Sequence, residues 1–571
     1  MDNAKEQTPD PTTTATATAT ATAATTPSGI LSDNDTPPAE RGNGLTKEAV
    51  ERLGRERPPL LGSMVVEVGF VTAIVLSMMM SEFFISGFNI ALPKVAEAMD
   101  MPESLRTWPA AVINLTTASF LLPFSRLCDR YGPRLVFLGG HVWLTIWSLV
   151  CGFSTDAVML IVCRAMQGLG AAAFMPAGLA LLAQTYRPGP RKNLIFSLYG
   201  AFACIGFYFG ILISAVSVGL LHWRWYFWIG TCLCLAVVVL GVCFVPRDLQ
   251  ADDPTIAMDW LGMATIAPGL VLVVFALTDG GHAPDGWRTP YVYVTFVIGA
   301  LLLCAAVYVQ GWVSEQPLLP AEVFKPKYLK RLMFGLFCAY GVFSLFLFYA
   351  SFYVEEALRI PPMLTAAWFT PLAVGGMVLA ITGGFIMHMI PGRVLMIISQ
   401  VGFVLSVLLF ALIPEKKDDG SGPSTSFLYW AYVFPAMLCG TIGVDITFNI
   451  TNVFITTAMP RRLQSAASGV INSLLYLGMA FWLGVGELAV STAREHRGGD
   501  LPQREQYTIG FWTGTGLAGV ALLIVATVPM GKQEADLTPE EKAELEKEMC
   551  ASQPISEAPT VLKDDAGRGD V

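Results

Sequence analysis

Between about residues 64 and 530 the chain alternates apolar runs of roughly 20 residues with short polar punctuation. That is the pattern of helices that cross a membrane, because a helix of this length spans the hydrocarbon core. Fourteen runs are counted, the first over 64–92, the fourth over 156–184, the ninth over 330–354, the twelfth over 426–458 and the last over 508–530. They are continuous rather than alternating at every second residue, which excludes a membrane β-barrel. An even number of spans puts both tails on one side. Lys and Arg are denser in the tail-side loops and just before the first run, at Lys47, Arg52, Arg55 and Arg57, so both tails are expected in the cytoplasm.

Composition sharpens this picture. Charged residues make up 14% of the chain and hydrophobic ones 54%, whereas a soluble chain carries about 25% charged residues. A soluble enzyme of several domains is thereby excluded. A sequence pI near 5.2 and the lack of any basic domain exclude a nucleic-acid binder. The net charge of -9 comes largely from the two tails, 1–63 and 531–571. The Thr/Ala repeat from Thr12 to Thr26 has almost nothing to bury and is expected to be disordered. Ten of the eleven cysteines lie in or beside apolar runs, and Cys232 with Cys234, the one closely spaced pair, would point to different sides of a helix. With the histidines scattered over His141, His222, His282, His388 and His496, no metal site, catalytic triad or cofactor is indicated. The cytoplasmic segments contain no nucleotide-binding loop, which argues against ATP drive.

The few charges and amides left inside the runs carry the information, because an ionisable group at a helix centre costs about 2.5–3.5 kcal/mol and needs a partner, a watery cavity or a function. The first run holds Glu82, Ser86 and Asn89 on one helical face. The twelfth holds Thr441, Asp445, Asn449, Asn452 and Thr456, spaced so that all five share a side. Polar stripes of this kind line a substrate pathway or act as glue between helices, and carboxyls at Glu82 and Asp445 favour the pathway. The fourth run holds Arg164 and, at i+3, Gln167, followed by Gly168, Gly170, Ala171 and Ala172, small residues that let a second helix approach closely. Arg164 with Gln167 is expected to contact a carboxylate or the substrate. Aromatics such as Phe84, Phe207, Tyr208, Trp368 and Trp482 could line a cavity for amphiphiles, although most membrane aromatics merely pack.

The loop after the second run reads Ser125-Arg126-Leu127-Cys128-Asp129-Arg130-Tyr131-Gly132-Pro133-Arg134. A tight turn at Gly132 and Pro133 joins two antiparallel helices there, and Asp129 falls among Arg126, Arg130 and Arg134. Such a cluster can hold cytoplasmic helix ends together in one state and release them in another. This loop resembles the G-x-L-x-D-R-x-G-x-R/K signature of the major facilitator superfamily, with Ser125 in place of its first glycine. Arg164, Gln167, Gly168, Gly170 and Ala171 are similar to that family's R-x-x-Q-G-x-G-A segment. Fourteen spans, Asn89-Ile90-Ala91-Leu92-Pro93 and Trp223-Arg224-Trp225-Tyr226-Phe227 resemble its fourteen-helix drug/proton antiporter branch. The segment Asn452 to Asn472 resembles fungal exporters of the aminotriazole and boron resistance type. The loop at 384–393 echoes the loop motif but has His388 where Asp129 stood. Two departures stand out: Phe84 occupies the position where the branch has an aspartate, and the fifth-run motif G-P-x-x-G-G appears as Gly206-Phe207-Tyr208-Phe209-Gly210-Ile211, without the proline and second glycine.

The resemblance implies an all-α membrane protein of the major facilitator fold, two pseudo-symmetric six-helix bundles over 64–249 and 321–530 with an inserted helix pair over 250–320. It implies a monomeric secondary transporter, not an enzyme, that exports small organic compounds across the plasma membrane (or the vacuolar membrane) and couples to the proton gradient. Glu82 and Asp445 are the expected coupling sites. Ser86, Asn89, Arg164, Gln167, Thr441, Asn449 and Asn452 form the expected pathway, and Arg126, Asp129, Arg130, Gly132 and Arg134 the expected cytoplasmic gate. The rival readings are a proton-independent facilitator or importer of a small solute such as ammonium, and a non-transporting membrane sensor, which would need a larger cytoplasmic domain.

Overall fold

The computed structural model describes residues 57–530 apart from 59, 187–189, 248–256, 282, 284–285, 327, 387–388, 416–422, 459–460, 498–500 and 529. Residues 1–56 and 531–571 of the two tails, and His388, lie outside the described residues. Among the described residues, fourteen helices are long and apolar enough to span a membrane. In chain order they are α1 (Met64–Ala98), α2 (Trp108–Tyr131), α3 (Pro133–Cys151), α4 (Ala157–Thr185), α5 (Pro190–Leu220), α6 (Arg224–Phe244) and α7 (Trp260–Asp279). They continue as α8 (Pro290–Tyr308), α9 (Leu329–Phe352), α10 (Pro362–Ile386), α11 (Gly392–Ala411), α12 (Phe434–Ala458), α13 (Arg461–His496) and α14 (Gln503–Ala526). No strand occurs among the described residues.

Local chemistry sets the helix ends. Ser63, Asp156 and Asp259 cap α1, α4 and α7, each side chain accepting a bond from a first-turn backbone N–H. Gly132 sits at φ +87°, a conformation that suits a residue without Cβ, and it ends α2 just where Pro133 opens α3. Prolines inside α1, α2, α4, α7 and α10 are tolerated because neighbouring helices enclose the backbone groups they free. Three π-helical turns interrupt the α pattern: Val309–Val313 after α8, Tyr353–Ala357 after α9 and Tyr429–Val433 before α12.

Packing repeats itself. Within α1–α6 the pairs α1/α5, α1/α6, α2/α4, α3/α4 and α3/α6 are in contact, and within α9–α14 the matching pairs α9/α13, α9/α14, α10/α12, α11/α12 and α11/α14 are. The two groups meet along α2/α13 and α5/α10, which exchange under the same correspondence. Helices α7 and α8 pack on each other, and α7 lies against both α2 and α13. The close approaches need glycine. A Cβ at Gly206 would stand 2.5 Å from the Met79 carbonyl, and one at Gly210 2.6 Å from that of Phe83, so α5 lies against α1 without the missing proline.

Candidate functional site

Arg164 is fully buried, and its surroundings explain how a cation survives there. Its Nε donates to the Pro109 carbonyl on α2 at 3.1 Å, and a terminal nitrogen donates to the Phe84 carbonyl on α1 at 2.9 Å and to Gln167 Oε1 at 3.1 Å. The guanidinium also lies 4.2 Å from the Phe88 ring centroid. Gln167 in turn donates to Ser148 on α3 at 2.9 Å. Gly168 packs on Ile113 of α2 and Gly170 on Gly140 of α3, so the small residues after Arg164 do admit two neighbours. In this structure Arg164 and Gln167 sit at a junction of four helices, where backbone carbonyls and the Gln167 amide take the fork-shaped donor set.

The first-run stripe divides in the same way. Ser86 is fully buried and donates to the carbonyls of Glu82 at 2.8 Å and Phe207 at 2.7 Å, bridging α1 to α5. Asn89, almost sealed, donates to the Ile85 carbonyl at 2.8 Å. Ser86 thus bonds across the seam to α5, whereas the Asn89 bond stays within α1. Phe84 likewise belongs to the core, edge-on to Phe83 and Tyr226. Glu82 is different: it is half-buried, and no ion pair among the described residues involves it.

Asp445 on α12 accepts from Thr441 at 2.8 Å and from the Cys204 thiol of α5 at 3.9 Å. A Cβ on Gly376 of α10 would lie 2.9 Å from its Oδ2, so bare backbone walls this carboxyl on one side. Glu82 and Asp445 lie within electrostatic reach of each other, and the same neighbourhood holds Tyr199, Tyr340, Tyr476 and Cys204. The two carboxyls thus come from different groups of six helices, α1 and α12, and lie close enough to interact electrostatically. Asn449 and Asn452 lie further along α12, half-buried, with Asn452 bonded to the Phe448 carbonyl at 2.9 Å. The side chain of Thr456 lies outside the described residues. Of the other aromatics, Phe207 and Trp482 remain half-buried, Tyr208 bonds Thr370 at 2.9 Å, and Trp368 packs on Tyr429.

In the loop motif, Arg126 donates to the Pro317 carbonyl at 2.9 Å, tying the end of α2 to the segment that leads into α9. Arg130 lies 5.5 Å from the Tyr131 ring centroid. Arg134 has a buried Nε with no hydrogen-bond partner. Asp129 feels the charge of Arg126, yet among the described residues it makes no ion pair within 4.0 Å with any of the three arginines. The expected cluster is accordingly looser than its sequence spacing implies.

Sequence reasoning missed two further groupings. On the tail side, buried Glu67 is gripped by Arg191 at 2.5 and 2.7 Å, by Arg57 at 3.2 Å and by the Tyr186 hydroxyl at 3.2 Å. Burial and the Glu67 carboxylate push the Tyr186 hydroxyl well above its ordinary pKa. At the far end, Arg106 pairs with Glu356 at 3.9 Å, Glu103 with Arg494 at 2.5 Å, and Thr107 donates to Glu487 at 2.8 Å. The signal for Glu356 was present, since Glu355 and Glu356 directly abut the ninth apolar run.

Two groups of six helices with matching internal contacts, built from helices long and apolar enough to span a membrane, define a multi-pass membrane protein. Comparison with known proteins supplies the family. The major facilitator superfamily model matches residues 74–483, and the chain belongs to that family. It is 30% identical over 432 residues to the low affinity ammonium transporter of Saccharomyces cerevisiae, covering 74% of this chain and 80% of that one. It is 28% identical over 510 residues to the efflux pump terJ of Aspergillus terreus, covering 88% and 95%. The aminotriazole resistance protein of Saccharomyces cerevisiae is 28% identical over 430 residues, covering 73% and 76%. Among solved structures, a peptide transporter superposes with a TM-score of 0.56 at 15% identity, covering 80% of this chain and 93% of that one. The nucleoside transporter NupG gives 0.52 at 12%, covering 81% and 98%.

Proposed function

We propose that this transporter exports small organic compounds in exchange for protons, with Glu82 and Asp445 as the coupling carboxyls. The observation that carries the reading is their meeting: two carboxyls, one from each half, share a neighbourhood in which neither makes an ion pair among the described residues. A carboxyl without a cation can exchange a proton as its access to water changes. In this reading residues 64–249 and 321–530 rock about the central site, 250–320 forms the inserted pair, and Thr441, Asn449 and Asn452 line the path together with Phe207 and Trp482. The loop motif at Arg126, Asp129, Arg130, Gly132 and Arg134 gates the tail side. The tails are cytoplasmic, the membrane is the plasma membrane, and the working unit is a monomer. Efflux is supported by the relatives named as an efflux pump and a resistance protein.

The relative named an ammonium transporter favours a second reading, a facilitator whose central carboxyls attract a small cation. One experiment separates them. The full chain is reconstituted in proteoliposomes and substrate flux is followed with and without an imposed pH gradient, across a panel of amphiphiles and ammonium. Under the first reading the gradient drives flux, and Glu82→Gln or Asp445→Asn abolishes the gradient dependence while substrate exchange persists. Flux that ignores the gradient in the unaltered protein would sink proton coupling and leave the facilitator.

A further inference from the structure

A carboxyl outside the Glu82–Asp445 pair merits a role: Glu355, in the turn that follows α9. After Phe352 the backbone leaves α-helical bonding for the π turn Tyr353–Ala357, with Leu358 N–H donating to the Tyr353 carbonyl at 3.0 Å and Ile360 N–H to that of Val354 at 3.1 Å. π turns recur at functional sites because they re-aim successive side chains. Here they split two adjacent glutamates. Glu356 is held by Tyr507 and Gln503 of α14 and faces Arg106. Both carboxyl oxygens of Glu355 are shielded from solvent and have no hydrogen-bond partner.

A carboxyl whose oxygens are shielded and meet no protein donor is better suited to the neutral acid than to the carboxylate. The groups facing it are few. From α1 comes Lys94, itself paired to Glu97 at 2.6 Å; from the same turn, Glu356; beyond that, Arg106. From α14 come Gln503 and Tyr507, both on Glu356, and Arg504, which bonds the Tyr353 hydroxyl at 3.3 Å and the Ile413 carbonyl at 2.7 Å and pairs with Glu415 at 3.5 Å. The first turn of α10 adds no charge.

The position matters as much as the burial. Residues 103–107, which lead into α2, are tied to the α9 turn by Arg106–Glu356 and to α13 by Glu103–Arg494 and Thr107–Glu487. These links join the two halves at the end away from the tails, so that end is closed. Parting it breaks them and admits water to Glu355.

We propose that Glu355 is a proton site in the far-end seam: proton uptake closes that end and proton release to water accompanies its opening. Whatever state binds the proton more tightly is favoured by adding protons. With the tails cytoplasmic, acid outside would then drive the transporter toward the closed far end. The inference rests on the alternating-access reading above but not on Glu82 or Asp445 as coupling sites.

The test measures distance rather than transport. Spin labels are placed at Asp100→Cys, in the turn after α1, and His496→Cys, at the end of α13, in full-length protein whose Cys232, Cys243, Cys304 and Cys550 are replaced by serine. Raising pH from 5 to 9 should lengthen the label distance. Glu355→Gln should hold it short at every pH, and Glu355→Asp should restore the response. Lys94→Gln should shift the transition to higher pH, since removing a cation disfavours the carboxylate. An unchanged transition in Glu355→Gln, or none in the parent, overturns the proposal. If Glu355→Gln does not fold, an unmoved transition in Lys94→Gln overturns it instead. An intact distance response in Glu82→Gln, even where gradient-driven transport is lost, supports the proposal, because the seam site does not depend on that coupling carboxyl.

Discussion

Arg164 illustrates how a single buried cation is accommodated. Its donors reach backbone carbonyls of two other helices and the Gln167 amide, and a phenyl ring covers one side. A lysine offers one compact ammonium and cannot span those acceptors from a planar fork. Arg164→Lys and Arg164→Met should therefore lower stability, by about 2–4 kcal/mol for the methionine, because several charge-assisted bonds are lost at once. Thermal unfolding in detergent measures this. Transport per folded molecule should persist in Arg164→Met, whereas a substrate contact would fail even in folded protein. Gly376→Ala has the opposite profile. Its methyl would meet Asp445 Oδ2 at 2.9 Å and Thr441 Oγ1 at 3.2 Å, displacing the carboxyl. Gradient-driven flux should collapse while stability falls by only about 1–3 kcal/mol, the usual cost of an added buried methyl group.

At the level of helices, what was legible followed from chemistry local to one segment. Runs of apolar residues declare spans because the bilayer admits no unsatisfied backbone, and fourteen were readable with ends shifted by a few residues. The ninth apolar run, 330–354, ends inside the π turn, because Glu355 and Glu356 interrupt the apolar pattern there. A polar stripe tells which face of a helix is polar but not which helix faces it. So Ser86, Asn89 and Glu82 looked alike in sequence, yet the first two turn to backbone carbonyls while Glu82 joins Asp445 on a helix more than three hundred residues away. The fifth-helix motif lacks the family's proline and second glycine, yet Gly206 and Gly210 alone suffice to bring α5 against α1. Gly206→Val should accordingly push the helices apart at the Met79 carbonyl and cost more stability than Gly200→Val, whose Cβ would meet nothing within 4 Å. Parallel melting curves of the two variants decide this.

Across the whole molecule, the two halves are built alike but joined unequally. Their seams, α2/α13 and α5/α10, correspond under the internal repeat, yet α7 packs against both helices of the first. At the far end the joining falls to charges, because polar side chains there can exchange partner for water when the ends part, whereas an apolar seal would expose surface each time. The pair Glu103–Arg494 is partly exposed, so it contributes only about 0.2–1 kcal/mol, but a two-state equilibrium responds roughly fivefold to 1 kcal/mol. Reversing one charge replaces an attraction by a repulsion. Glu103→Arg or Arg494→Glu alone should lengthen the Asp100–His496 label distance at fixed pH, and the double exchange should shorten it again. Salt above about 0.5 M should compress the differences among all four proteins, because the screening length falls to a few ångströms. If the double exchange behaves like the sum of the singles, the two residues act independently and the pair is not a latch between the halves.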